Sequence, residues 1–122
     1  MANEILYRGK LAYAKDDSDA FDVGELTATM TGTKALRGRQ TCGTSEEALG
    51  LGEVAPGSAW FICRNRDVTN KLLIAPAAGA AFLLEVQPGE TAGPFRFLST
   101  VTAPVVKASA STVDFTYLLV SA

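Results

Sequence analysis

The 122-residue chain contains no histidine, which removes the commonest general base and the commonest metal ligand from its chemistry. Ser-His-Asp and Cys-His arrangements are excluded with it. Cys42 and Cys63 are too few for a disulfide-stapled module, and they form no Cys-x-x-Cys pair. Free buried thiols are the expected state, and a bridge stays open only if their strands are neighbours. No apolar run approaches the ~18 residues that a membrane-spanning helix requires. The opening Met1-Ala2-Asn3-Glu4-Ile5 lacks the basic and apolar blocks of a signal peptide, so synthesis and retention in the cytoplasm are expected. With 11 basic and 13 acidic residues, no bulk attraction to nucleic acid or to an acidic membrane is expected. A phosphate-cradling loop is missing too: Gly50-Leu51-Gly52 lacks a third glycine and a following helix of useful length. The adjacent carboxylates Asp16-Asp17 and Glu46-Glu47 do not converge on one substrate atom and read as solvent-facing. The expectation is a non-enzymatic protein with no cofactor, no metal, no direct nucleic-acid contact and no membrane contact.

What the chain does contain is a succession of short apolar runs separated by turn residues. The length suits one domain, 1–122, burying about two-thirds of its unfolded surface. Ile5, Tyr7, Leu11 and Tyr13 alternate with Arg8 and Lys10, an opening strand or pair of strands with a kink at Gly9. Lys15 to Asp22 reads as an acidic loop, without the Asp-x-Asp-x-Asp-Gly order of a calcium site. Glu25 to Thr31 alternates cleanly, with Leu26, Ala28 and Met30 inward. Thr44 stands three residues before Glu47, the entry pattern of a helix, so one short helical turn is expected near 44–50, stopped by Gly50 and Gly52. Ser58 to Cys63 is apolar on both alternating faces and is placed deep in a sheet, covered on both sides. Further strands follow at Leu72–Ala75, Ala80–Val86, Phe95–Leu98 and Val105–Lys107. In the last strand Val113, Phe115, Tyr117 and Leu119 share one face while Thr112, Asp114 and Thr116 share the other. Eight or nine such strands, with turns such as Gln87-Pro88-Gly89-Glu90 between them, give an all-β class: an antiparallel β-sandwich or jelly-roll-like barrel.

Two polar segments stand out. Lys34, Arg37 and Arg39 place three cations in six residues, without the aromatic interleaving of a nucleic-acid site. They read as a solvated face or as a basic rim meeting an acidic partner. Arg64-Asn65-Arg66-Asp67-Val68-Thr69-Asn70 is the densest polar stretch, and Asn65, Asp67, Thr69 and Asn70 are types that bond nearby backbone in tight turns. It reads as a satisfied turn or as a contact surface. The candidate interface residues are therefore Lys34, Arg37, Arg39, Arg64, Asn65, Arg66, Asp67 and Asn70. Trp60 has two readings, a core filler or an exposed platform for a sugar ring helped by the 64–70 loop. From Leu72 onward only Glu85, Glu90, Arg96, Lys107 and Asp114 are charged, a composition that fits surface lost to a partner.

The run Gly43-Thr44-Ser45-Glu46-Glu47-Ala48-Leu49-Gly50-Leu51-Gly52-Glu53-Val54, then Phe61-x-x-Arg64-Asn65-Arg66-Asp67-x-Thr69-Asn70, then Pro88-Gly89-Glu90, resembles small all-β virion proteins of tailed bacteriophages. Among these it is most similar to the jelly-roll-like capsid decoration, or cement, proteins. The resemblance covers about two-thirds of the chain, from Gly43 to the end. It implies a structural virion protein made in the host cytoplasm and placed on the capsid surface. Its implied partners are the major capsid protein or another virion protein, and further copies of itself as a homo-oligomer, a trimer favoured. Similar sandwiches occur in phage necks, tails and fibres, and a glycan-binding fibre module around Trp60 is the alternative. No catalytic residues come with the resemblance.

Overall fold

The computed structural model describes residues 5–15, 17–28, 30 and 32–121. The reading of Met1 to Glu4, and of Asp16, Thr29 and Thr31, lies outside the described residues. The chain divides into two compact units, Met1–Thr31 and Gly32–Ala122.

The first unit is a hairpin of β1 (Ile5–Lys15) and β2 (Asp17–Ala28), a two-stranded sheet of its own. Register pairs Tyr7 with Leu26 and Leu11 with Phe21 on one face, and Arg8 with Glu25 and Lys10 with Asp22 on the other. The alternation in the sequence is thus expressed as an apolar face backed by two cross-strand charge pairs. The register shifts between Gly9 and Lys10, where the kink was expected. Lys15 pairs directly with Asp17, so the expected acidic loop from Lys15 to Asp22 is instead drawn into the hairpin as strand.

The second unit holds eight strands: β3 (Ala35–Cys42), β4 (Glu47–Ala48), β5 (Trp60–Asn65), β6 (Leu72–Ala75), β7 (Leu84–Val86), β8 (Thr91–Arg96), β9 (Val105–Ala108) and β10 (Val113–Val120). They form two antiparallel sheets, ordered β3-β10-β5-β8 and β4-β9-β6-β7. Counted from β3, the orders are first-eighth-third-sixth and second-seventh-fourth-fifth, the strand order of a jelly roll. The all-β sandwich expected from the alternating runs is the observed architecture.

The core lies between the sheets. From one come Phe61, Cys63, Val113, Phe115, Tyr117 and Leu119; from the other Leu72, Ile74, Val86, Val106 and Ala108. β10 alternates buried and half-buried along its whole length, with the four predicted residues inward. Phe61 is the hub, its ring centroid 5.1 Å from that of Phe97, 5.6 Å from Phe95 and 6.0 Å from Tyr117. Because β10 separates β3 from β5, and Cys42 lies opposite Val113 while Cys63 lies opposite Tyr117, the two stand two strand spacings across and four residues along, roughly 17 Å apart. That exceeds disulfide reach, both thiols are free, and burial pushes each up to about 11.

Three expectations are corrected. No helical turn forms over 44–50: Glu47 and Ala48 pair with Val106 and Val105, and Leu49 N–H donates to the Pro104 carbonyl at 3.0 Å. The Glu47 carboxylate does reach back, but to Gly43 N–H at 2.6 Å, closing a bend rather than capping a helix. Sheet pairing with β9 has taken the backbone groups a helix would need. The strand expected at Ala80–Val86 begins only at Leu84. The third correction concerns β5, whose inward Phe61 and Cys63 are buried while outward Trp60 and Ile62 are only half-buried.

Gly38 is opposite Tyr117 in the ladder, and a Cβ there would lie 2.6 Å from the tyrosine Cζ. The ring occupies the space that a side chain on β3 would fill, and its hydroxyl donates to the Gly50 carbonyl at 2.6 Å. Gly38→Ala is therefore expected to displace a packed aromatic and cost about 1–3 kcal/mol. Urea unfolding read by tyrosine near-UV circular dichroism checks this, and an unchanged midpoint would contradict it.

Candidate functional site

The residues with free chemistry collect on the outer face of the β3-β10-β5-β8 sheet. Outward positions on neighbouring strands form rungs. Ala35, Val120, Trp60 and Arg96 make one; Arg37, Leu118 and Ile62 the next; Arg39, Thr116, Arg64 and Thr91 the third. Asp114 stands opposite Thr41 beyond them. The face is thus graded along the strands, apolar at the Trp60 end and cationic at the Arg64 end. A shallow groove of about 530 Å³ opens over the cationic half, lined by Arg37, Arg39, Arg64, Arg66, Thr91 and Thr116 among others.

β10 is what assembles this face. Arg37 and Arg39 come from β3, Arg64 and Arg66 from β5 and its exit, and β10 holds the two pairs one strand apart on either side. Thr116 lies between Arg39 and Arg64 on one rung, setting their Cα atoms roughly 10 Å apart. Arg39 grips Asp114 with both Nε and Nη2, its Nε 3.0 Å from each carboxylate oxygen. Arg66 folds back across the sheet, its Nε donating to Thr116 Oγ1 at 3.2 Å and its backbone N–H to the Asp114 carbonyl at 2.8 Å. Among the described residues, Arg37 and Arg64 have no carboxylate partner. Four guanidinium groups therefore face one carboxylate. Guanidinium does not release its proton in proteins, so the arrangement can bind carboxylate or phosphate but cannot act as an acid or base.

No protein-family model, curated protein or solved structure matches this chain. Its chemistry is read from its own geometry.

The remaining candidates fall elsewhere. Asn65 is wholly buried and spends its amide internally: Nδ2 donates to the Asn70 and Val86 carbonyls, each at 2.9 Å, and Oδ1 accepts from Asp67 N–H at 2.8 Å. Asp67 accepts from Thr69 and Asn70 N–H, at 2.9 and 2.6 Å, and Asn70 Nδ2 donates to the Thr112 carbonyl at 3.2 Å. The satisfied turn describes how these three spend their polar groups: Asn65 is buried and serves as scaffold, while Asp67 and Asn70 remain half-exposed. Lys34 pairs with Glu53 at 3.1 Å; its backbone N–H donates to Ser121 Oγ and its carbonyl accepts from Ser121 N–H, at the apolar end of β3 and away from the arginines. Trp60 is no core filler: it lies on the outer face with the Arg96 guanidinium 4.6 Å over its ring. The 66–71 loop leaves the opposite end of β5, roughly 17 Å from Trp60, so the two do not share one sugar subsite.

Sequence reading missed Ile62, Leu118, Thr116, Thr91 and Arg96 as parts of this face. A signal was present: β10 keeps polar outward residues only as far as Thr116, then turns apolar outward at Leu118 and Val120. Among the described residues no three histidine, cysteine, aspartate or glutamate side chains gather as a metal site.

Two outcomes follow from this chemistry. Asn65→Leu leaves two buried carbonyls and one N–H without partners, and is expected to lower stability by about 3 kcal/mol in urea unfolding. The Arg39 hydrogen bond, followed by its charge and that of Arg66, holds the Asp114 carboxyl below the ordinary aspartate range. A depressed native pKa means stability present above the unfolded value of about 3.9 and lost as pH falls through the native one. The wild type should therefore lose stability relative to Asp114→Asn below about pH 4, and an identical acid limb in the two proteins would contradict the pairing.

Proposed function

We propose that the chain is a structural virion protein of a tailed phage, a capsid decoration or cement protein that binds and reinforces the major capsid lattice. The observation that carries the reading is the graded outer sheet face, four arginines beside a half-buried apolar strip, presented on a rigid β-ladder. Such a face is built to hold a surface of opposite charge and has no group suited to turning over a substrate. The jelly-roll strand order supports it as analogy only, since viral capsid domains and lectins both use that architecture. On a lattice, each contact can be weak, because many identical sites engage together and neighbouring contacts raise one another's occupancy.

The glycan-binding alternative draws less support. Arg96 already stacks on the Trp60 ring, and the polar loop that would assist it leaves the far end of the strand. A neck or tail position differs from the capsid surface only in the partner met.

Heads assembled from the phage's major capsid protein without this chain provide the test. Added protein is expected to sediment with them and to raise the temperature at which they disrupt. Arg37→Glu with Arg64→Glu is expected to weaken binding about tenfold or more, and wild-type binding should fall as salt rises. Protein that stays in the supernatant, or a label seen on whole particles only at the neck or tail, would overturn the capsid assignment.

A further inference from the structure

The β1–β2 hairpin is the second feature that stability alone does not account for. It is a sheet of two strands, and such ribbons are marginal in water without a covering layer. Leu11 and Phe21, directly opposite each other in the register, are 78% and 72% exposed. Leu26, on the same face, is 40% exposed. This is an apolar face with large side chains open to solvent, on a segment where residues 1–31 carry six acidic against three basic groups. In sequence, Lys15 to Asp19 holds three of those acids and one lysine, and Asp19, on β2, is exposed.

We propose that the outer face of the β3-β10-β5-β8 sheet is an interface for a second copy of this chain, and that it receives the other copy's β1–β2 hairpin. The apolar face of the hairpin covers the Trp60, Ile62, Leu118 and Val120 strip, and Asp19 lies over the arginines. The inference rests on the adhesive reading above and names the occupant of that face: a second copy covers it, and the Arg37→Glu with Arg64→Glu protein then loses heads because it no longer assembles and avidity is lost.

Charge complementarity is the first support. The receiving half-face offers four guanidinium groups against one carboxylate, and the Lys15 to Asp19 stretch offers the reverse imbalance in sequence. The second support is the order of the two patterns. On β2, Phe21 and Asp19 are two residues apart, the spacing of successive side chains on one face. On β5, Ile62 and Arg64 have the same spacing in the reverse chain order, apolar before charged where β2 has Asp19 before Phe21, so the two patterns match, with opposite sign, when the strands run antiparallel. A hairpin laid along β5 can therefore place Phe21 over Ile62 and Asp19 over Arg64 with neither strand stretched. Arg37 and Arg64, whose guanidinium groups have no described partner, are the ones that gain from it.

The contact joins different patches on the two copies, so it is heterologous. It closes when two copies exchange hairpins or when several pass them around a ring. Mass in solution gives the number.

Size-exclusion chromatography with light scattering on the full chain, at low salt and over a wide range of concentration, tests this with no capsid present. The wild type is expected to associate as concentration rises and to dissociate as salt is added. Arg37→Glu with Arg64→Glu should raise the dissociation constant about tenfold or more, and Asp17→Arg with Asp19→Arg should do the same, because each sets like charges together. The protein carrying all four substitutions restores opposite charges and should associate again. A second probe is Leu11→Ser with Phe21→Ser, which should also give monomers while leaving the sandwich's unfolding midpoint unchanged. Wild-type protein that is monomeric throughout, including one that binds an acidic probe peptide or duplex DNA instead, would overturn the proposal. So would a fourfold variant that fails to recover association. Because heads are absent, failure here leaves the capsid reading standing, and failure to bind heads leaves this contact standing.

Discussion

The sandwich depends on one insertion. β10, the last strand of the chain, enters between β3 and β5 and supplies both with their ladder partners. Until it arrives, β3 has no neighbour in its sheet and the Phe61 cluster lacks Phe115 and Tyr117. The hydrophobic gain is consequently collected late and at long sequence separation, as is common for β topologies. The same strand carries the outward residues that bring the arginines of β3 and β5 into one array. Folding and the candidate surface are therefore two sides of a single ladder.

Asn65 shows how the surface is kept in place. Its amide ties the exit of β5 to Val86 on the opposite sheet and to the loop at Asn70. Asp67 then closes the loop on itself. Arg64 and Arg66, on either side of Asn65, inherit that rigidity. A side chain that costs entropy to hold binds less tightly than one already fixed by its strand, so a buried asparagine between two arginines serves the proposed contact as well as stability. Gly38 contributes in the same way from β3, letting Tyr117 close the core directly beneath the arginine rung.

Local pattern made the fold legible where one face of a strand is buried. Val113, Phe115, Tyr117 and Leu119 announce β10, and Ile5, Tyr7 and Leu11 announce β1, because a period of two is decided by adjacent residues. Residues 44–50 misled because capping chemistry is also local: Glu47 does bond backwards, but the competing ladder with β9 comes from residues nearly sixty positions away. Trp60 misled for the complementary reason. An apolar outward residue looks buried in sequence whether a layer, an arginine or a partner covers it. The arginine array was half legible. Each cluster was visible by itself, but their union depends on β10 lying between β3 and β5, and nothing short of the strand order reveals that.

Five guanidinium groups on one sheet face, four of them gathered at the Arg64 end, are a cost to the isolated fold. Like charges held at strand spacing repel, and only Arg39 among them has a carboxylate grip. The apolar strip beside them forfeits burial that a polar face would not have needed. A chain selected for stability alone would place Glu or Thr at several of these outward positions, as it does at Thr41, Thr91 and Thr116. The hairpin shows the same imbalance with the sign reversed, leaving large apolar side chains open beside surplus aspartates. Two departures from a self-sufficient surface, opposite in charge and matched in order when the strands run antiparallel, are explained together if each is completed only in the assembled state. That common cause requires less than two independent accidents of composition, and under the proposed contact association is the constraint that shaped both surfaces.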